Sequence, residues 1–165
     1  MRLALMEILK ISSKNRKIVV DKTAREIRKG NVVVCPTDTV YGILADATNR
    51  ESVKKVFMIK GRPKSNPLPI FVKNIRMAKK LAFIAKKDEK FLRTVWPGRV
   101  TAALKRKKTN LPKELFGKER TVGMRIPDYL FIKNLFSAID TPLTGTSANV
   151  SGKSYSTKIK DVLNQ

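Results

Sequence analysis

The sequence predicts an α/β fold with helices flanking a sheet. Stretches of helical period near 16–29, 49–60, 75–85, 89–95 and 128–139 alternate with short β-branched or apolar runs near 31–35, 40–44, 68–72, 100–104 and 121–127. Glycine, proline or asparagine punctuates many of the junctions. At 165 residues the chain can bury a real core without disulfides or structural metal. No repeat, low-complexity tract or long linker divides it, so one domain over 1–165 is expected.

The elements follow in order. Residues 16–29 carry Ile18, Ala24 and Ile27 among charges and stop at Gly30, as a helix with a C-terminal glycine does. Residues 31–35 read as a buried strand halted by Pro36. Thr37, Asp38 and Thr39 form a polar turn before the next extended run, 40–44. Thr37 and Thr39 therefore sit at a strand end, where open sheets commonly carry ligand groups. Asn49 is a candidate N-cap, with Glu51 in the first turn and Val53, Val56 and Phe57 on one apolar face up to Lys60. Strand 68–72 and helices 75–85 and 89–95 follow, the last halted by Trp96-Pro97-Gly98.

Strand 100–104 runs into Lys105-Arg106-Lys107-Lys108, read as a solvated hairpin tip, with RNA contact as the sharper alternative. Residues 109–118 read as loop. In 121–127 a period of two puts Thr121, Gly123 and Arg125 on one face. Either a polar pocket on the sheet or a partly exposed edge strand accommodates that arginine. Asp128 is expected to cap a helix reaching Ile139, and 156–163 to form a short terminal helix.

The charge is lopsided: 36 Lys and Arg against 13 Asp and Glu, a net of +23. Such a field attracts polyanions, whether nucleic acid, nucleotide or anionic membrane, and does not choose among them. Histidine is absent. That excludes Ser-His-Asp and Cys-His catalysis and removes the commonest zinc ligand. A general-base step falls instead to a carboxylate, a lysine, a water or the substrate. The single Cys35 lies in an apolar run and reads as a small core residue, compatible with a reducing compartment. The apolar opening, 1–6, is interrupted by Glu7 and Lys10 too soon for a signal peptide. No apolar run approaches the ~18 residues of a bilayer span. A soluble, cytoplasmic protein is the expectation.

Two stretches carry the candidate chemistry. In Lys60-Gly61-Arg62-Pro63-Lys64-Ser65-Asn66-Pro67, a glycine closes a helix and a proline prevents its continuation, holding a point charge and a planar fork on a stiff connector. This suits the grip of a polyphosphate; a solvated basic turn at a helix C-terminus is the bland alternative. Residues 142–152 open from a strand into a loop of small hydroxyls and amides, able to bring N–H and O–H groups to phosphate oxygens. The loop lacks the Walker spacing.

Five motifs in order discriminate further: Pro36-Thr37-Asp38-Thr39-Val40-Tyr41-Gly42, the octapeptide at 60–67, Trp96-Pro97-Gly98 with Thr101, Thr121-Val122-Gly123-Met124-Arg125-Ile126-Pro127, and Thr146-Ser147-Ala148-Asn149-Val150-Ser151-Gly152. Through them the chain resembles the YrdC-like family, the threonylcarbamoyl-adenylate synthases, over nearly its whole length. The resemblance implies a twisted mixed α/β sheet with a basic concave face. It implies a nucleotidyltransferase that joins L-threonine, bicarbonate or CO₂ and ATP into threonylcarbamoyl-AMP, releasing pyrophosphate. The product is destined for a separate transferase complex that modifies tRNA.

It also implies site roles. Lys60 and Arg62 match the phosphate-gripping, catalytic pair, with Asn66 beside them. Thr121, Ser147 and Tyr155 fall at nucleotide positions, and Asn149 and Ser151 shape the same loop. Thr39, Arg125 and Gly145 fall at L-threonine positions, Arg125 pairing the substrate carboxylate. Mg²⁺ is expected with ATP, held mainly by the triphosphate, since no protein carboxylate cage is evident. Phe71 stands where many relatives carry histidine, and a single-domain form without the C-terminal domain of longer members is expected. A non-catalytic basic RNA-binding module is the first alternative. A carbamoyl-transfer domain of the kind found in hydrogenase-maturation proteins is the second.

Overall fold

The computed structural model describes residues 7–117 and 119–164; the apolar opening 1–6, Lys118 at the end of the expected loop and Gln165 lie outside them. Helix α1 (Arg16–Arg28) precedes β1 (Val33–Pro36) and β2 (Tyr41–Leu44), then come α2 (Arg50–Lys60), β3 (Ile70–Phe71), α3 (Ile75–Leu81) and α4 (Lys86–Val95). Strands β4 (Ala102–Lys105) and β5 (Thr121–Arg125), α5 (Leu130–Ala138), β6 (Leu143–Thr144), β7 (Thr146–Ser147) and α6 (Ile159–Leu163) complete the order.

These strands form two sheets rather than one. The first, β1-β2-β7, is antiparallel. The second, β4-β5-β3-β6, is mixed: β3 runs parallel to β5, and the other pairs are antiparallel. Thr144 couples them. It is fully buried, its Oγ1 accepts the Ala45 N–H and donates to Ile43 O, and its N–H donates to Ala45 O. One apolar cluster, including Val53, Val56, Leu68, Ile70 and Met124, lies against α2–α4, while α1 and α5 bury a second with Leu44, Phe71 and Leu143.

Several boundaries differ from expectation. β3 keeps only two residues of the apolar run 68–72, which Pro69, lacking an N–H, interrupts. α3 stops at Leu81 rather than 85. Ala82 instead bridges Arg106, and Phe83 donates its N–H to Lys105 O, so pairing to β4 overrides the helical period. Within the expected loop 109–118, Lys113–Leu115 form a 3-10 turn. Asp128 does not cap α5. The N-cap is Tyr129, and the Asp128 carboxylate takes the Lys133 ammonium at 2.6 Å.

The basic run 105–108 is not a free tip. Lys105 ends β4, the Arg106 guanidinium lies 4.2 Å from the Phe116 ring centroid, and Lys107 donates to Lys79 O at 2.7 Å. Cys35 is buried as expected, and burial pushes its thiol pKa up to about 12.

Candidate functional site

Helix α2 builds the first cluster. Asn49 caps it, its Oδ1 accepting the N–H groups of Glu51 and Ser52 at 3.0 and 3.1 Å. Val53, Val56 and Phe57 form the buried stripe, and the helical period carries that stripe on to residue 60. Lys60 therefore points inward and is only 1% exposed. Gly61 closes the helix in the left-handed region at φ 54°. Its N–H reaches Met58 O and the Arg62 N–H reaches Phe57 O, the paired bonds of a Schellman closure.

The Lys60 ammonium has three N–H groups and finds three acceptors: Ser147 O at 2.7 Å, Asn149 O at 2.8 Å and Asn149 Oδ1 at 3.1 Å. The Lys60 carbonyl in turn accepts the Ser151 N–H at 2.8 Å. The 147–151 loop is thus folded onto the end of α2. Burial first, then the neighbouring Arg62 charge, draws the Lys60 pKa down from 10.5 to about 8, while the three acceptors favour the charged form. Asn149 spends its side chain on this fold: Oδ1 also accepts the Ser147 hydroxyl at 2.6 Å, and Nδ2 donates to Val150 O and Lys153 O. The Ser151 hydroxyl oxygen is buried and takes no partner among the described residues.

Arg62 braces the following turn. Nε donates to Asn66 O at 2.9 Å, and Nη2 donates to Asn66 Oδ1 and Pro67 O at 2.8 and 3.2 Å. Nη1 takes no hydrogen-bond partner among the described residues, so two donors remain on a half-buried guanidinium. Burial lowers its pKa. Counting back from Ile70 opposite Met124 along the parallel register puts Pro67 level with Thr121 at the start of β5. Arg62, Asn66 and Thr121 thus share one end of the second sheet. Tyr155 is 70% exposed on the segment after Gly152.

The second cluster gathers around Arg125, at the opposite end of β5 and ~13 Å along the strand from Thr121. The expected alternation holds for Val122 and Met124, which are buried in the core. Arg125 is buried as well, its Nε donating to Gly98 O at 2.8 Å and Nη1 to Thr39 Oγ1 at 3.4 Å. Nη2 donates to Asp38 in a short ion pair. The other Asp38 oxygen accepts the Asp128 N–H at 3.1 Å. Thr39 and Arg125 are therefore brought together across 86 positions of chain.

The phenyl ring of Phe71 lies 5.7 Å from the Arg125 guanidinium and also covers Gly145. A Cβ on Gly145 would run into that ring, so this glycine is set by close approach. Asp38 is the residue that sequence reasoning missed. It stood inside a quoted motif, and a lone carboxylate beside two hydroxyls in a very basic chain was the available signal.

The Sua5/YciO/YrdC family model, described as "Telomere recombination", matches residues 25–165. A "Putative threonylcarbamoyl-AMP synthase" of Methanocaldococcus jannaschii is 37% identical over 158 residues, 96% of this chain and 73% of that protein. The Threonylcarbamoyl-AMP synthase of Bacillus subtilis is 35% identical over 87% of this chain and 42% of its own length. Among solved structures, Pyrococcus abyssi Sua5 complexed with L-threonine superposes with a TM-score of 0.85 at 32% identity, over 95% of this chain and 45% of that one. This chain thus spans less than half of the last two proteins.

Proposed function

This chain belongs to the Sua5/YciO/YrdC family, and from that premise we propose that it is an L-threonylcarbamoyladenylate synthase. It joins L-threonine, bicarbonate or CO₂ and ATP into threonylcarbamoyl-AMP and pyrophosphate. The observation that carries this reading is the two-ended arrangement of β5. An arginine and a threonine hydroxyl lie at one end, and at the other is a turn whose arginine keeps two donors uncommitted. The curated relatives are named as synthases, so a non-catalytic RNA-binding module is not favoured.

Arg125 pairs the threonine carboxylate, with Thr39 and the Gly145 backbone beside it. The amine and CO₂ give an N-carboxylate, which attacks the α-phosphorus in line and expels pyrophosphate. The substrate brings its own nucleophilic oxygen, so a chain without histidine can serve by positioning and charge neutralisation. Arg62 donates to the phosphates through Nη1. Lys60, with its hydrogen-bonding capacity committed to the loop, contributes charge from behind it. Ser147 and Ser151 present the loop to the nucleotide with Asn149, while Asn66 holds Arg62, and Thr121 and Tyr155 contact the nucleotide.

Mg²⁺ comes as part of the nucleotide substrate. Among the described residues no group of three or more Asp, Glu, Cys or His is placed to hold an ion, so no step is assigned to a protein-bound metal. The product passes to a tRNA-modifying transferase in the cytoplasm, and the +23 charge would attract RNA as it would any polyanion. No helix among the described residues is long and apolar enough to cross a membrane.

Pyrophosphate release from ATP, with threonine and bicarbonate omitted in turn, tests the reading. Both omissions abolish release if it is right, and release indifferent to threonine overturns it. Arg62→Ala lowers turnover by roughly 10²-fold, the scale of losing a transition-state donor. Arg125→Ala raises the threonine requirement and leaves that for ATP near wild type.

A further inference from the structure

Asp38 and Arg125 form an ion pair with each side chain 9% exposed. The pair is not closed on itself. Arg125 spends three of its five N–H groups, on Gly98 O, Thr39 Oγ1 and Asp38. The Asp38 carboxylate offers about four acceptor sites and spends two, on Arg125 and on the Asp128 N–H. Thr39 is the exposed edge of this assembly. Behind its hydroxyl lie a fixed cation and a fixed anion side by side. A ligand carrying only a carboxylate gains Arg125 but faces Asp38, and in a buried setting that repulsion is weakly screened. A dipolar ligand gains both.

We propose that Asp38 makes this site selective for the dipolar head of a free α-amino acid. Arg125 takes the α-carboxylate; Asp38 holds the guanidinium in place and takes the α-ammonium of the entering amino acid, whose proton leaves to water or bicarbonate before the amine adds to CO₂. The inference rests on reading this cluster as the amino-acid site, and is independent of which amino acid enters and of what becomes of the nucleotide. Asp38 is thus both a positioning residue for Arg125 and a contact for the ligand.

The test is equilibrium binding to the full chain of L-threonine, of 3-hydroxybutyrate, which lacks the amine, and of threoninol, which lacks the carboxylate. The wild type should bind threonine at least ~10-fold more tightly than either analogue, the scale of one charged hydrogen bond. Asp38→Asn keeps the shape and an acceptor for the Asp128 N–H. It should weaken threonine by ~10–100-fold and 3-hydroxybutyrate, which meets only Arg125, by clearly less, so the preference between them collapses. ATP affinity should hold.

A variant that loses both ligands in equal proportion overturns the proposal, because that is what mere structural damage produces. So does a wild type that binds 3-hydroxybutyrate as tightly as threonine, a comparison that needs no variant and decides the matter if Asp38→Asn fails to fold. If the wild type prefers another free amino acid and the variant still loses that preference, the threonine assignment falls and the selectivity stands. Threonine binding with an unaltered ratio does the reverse.

Discussion

A buried lysine with three acceptors is under opposing pressures, and Lys60 shows how they divide. Burial and the Arg62 charge bring its pKa to about 8, against 10.5 for an ordinary lysine. The folded state therefore releases this proton before the unfolded chain does. Between the two values this group makes stability rise with pH, because the unfolded state there binds more protons. Over the same window the 147–151 loop loses a donor and the site loses a charge, so nucleotide affinity should fall. Denaturant midpoints and ATP affinity at about pH 7 and about pH 9.5 check both signs. Lys60→Met should lose both trends, and parallel changes in variant and wild type would show that other groups are responsible.

Local chemistry marks the ends of elements more reliably than their extents. Asn49 and Gly61 bound α2 where the sequence said, since a cap and a left-handed glycine are decided within a few residues. The end of α3 and the start of α5 were misplaced because distant partners decide them: β4 for the first, and for the second Asp38, which accepts the Asp128 N–H.

Two glycines separate these kinds of cause. A Cβ at Gly61 meets nothing within 4 Å, so Gly61→Ala should cost only its backbone strain, ~1 kcal/mol. Gly145→Ala drives a methyl into the Phe71 ring and should cost ~1–3 kcal/mol. It should also raise the threonine KM, because that ring lies against Arg125. Chemical denaturation and threonine titration of the two variants check the contrast.

Across the whole molecule, the sequence names candidate site residues but not how they assemble. The motifs named Thr39, Lys60, Arg62 and Arg125, but 87 positions separate Asp38 from Arg125, and nothing local says that they meet. The same holds for the loop that occupies the Lys60 ammonium, and for the split into two sheets joined at Thr144.

Cys35 makes the behaviour of β1 directly readable. It is the only cysteine in the chain, it lies in the apolar cluster shared with α1 and α5, and its thiolate is suppressed by burial. An aromatic disulfide reagent should therefore find nothing to label in native buffer. The reaction becomes a clock for the parting of α1 and α5 from the first sheet, running faster as urea is added. Prompt labelling without denaturant would mean that this side of the molecule breathes far more freely than its packing allows.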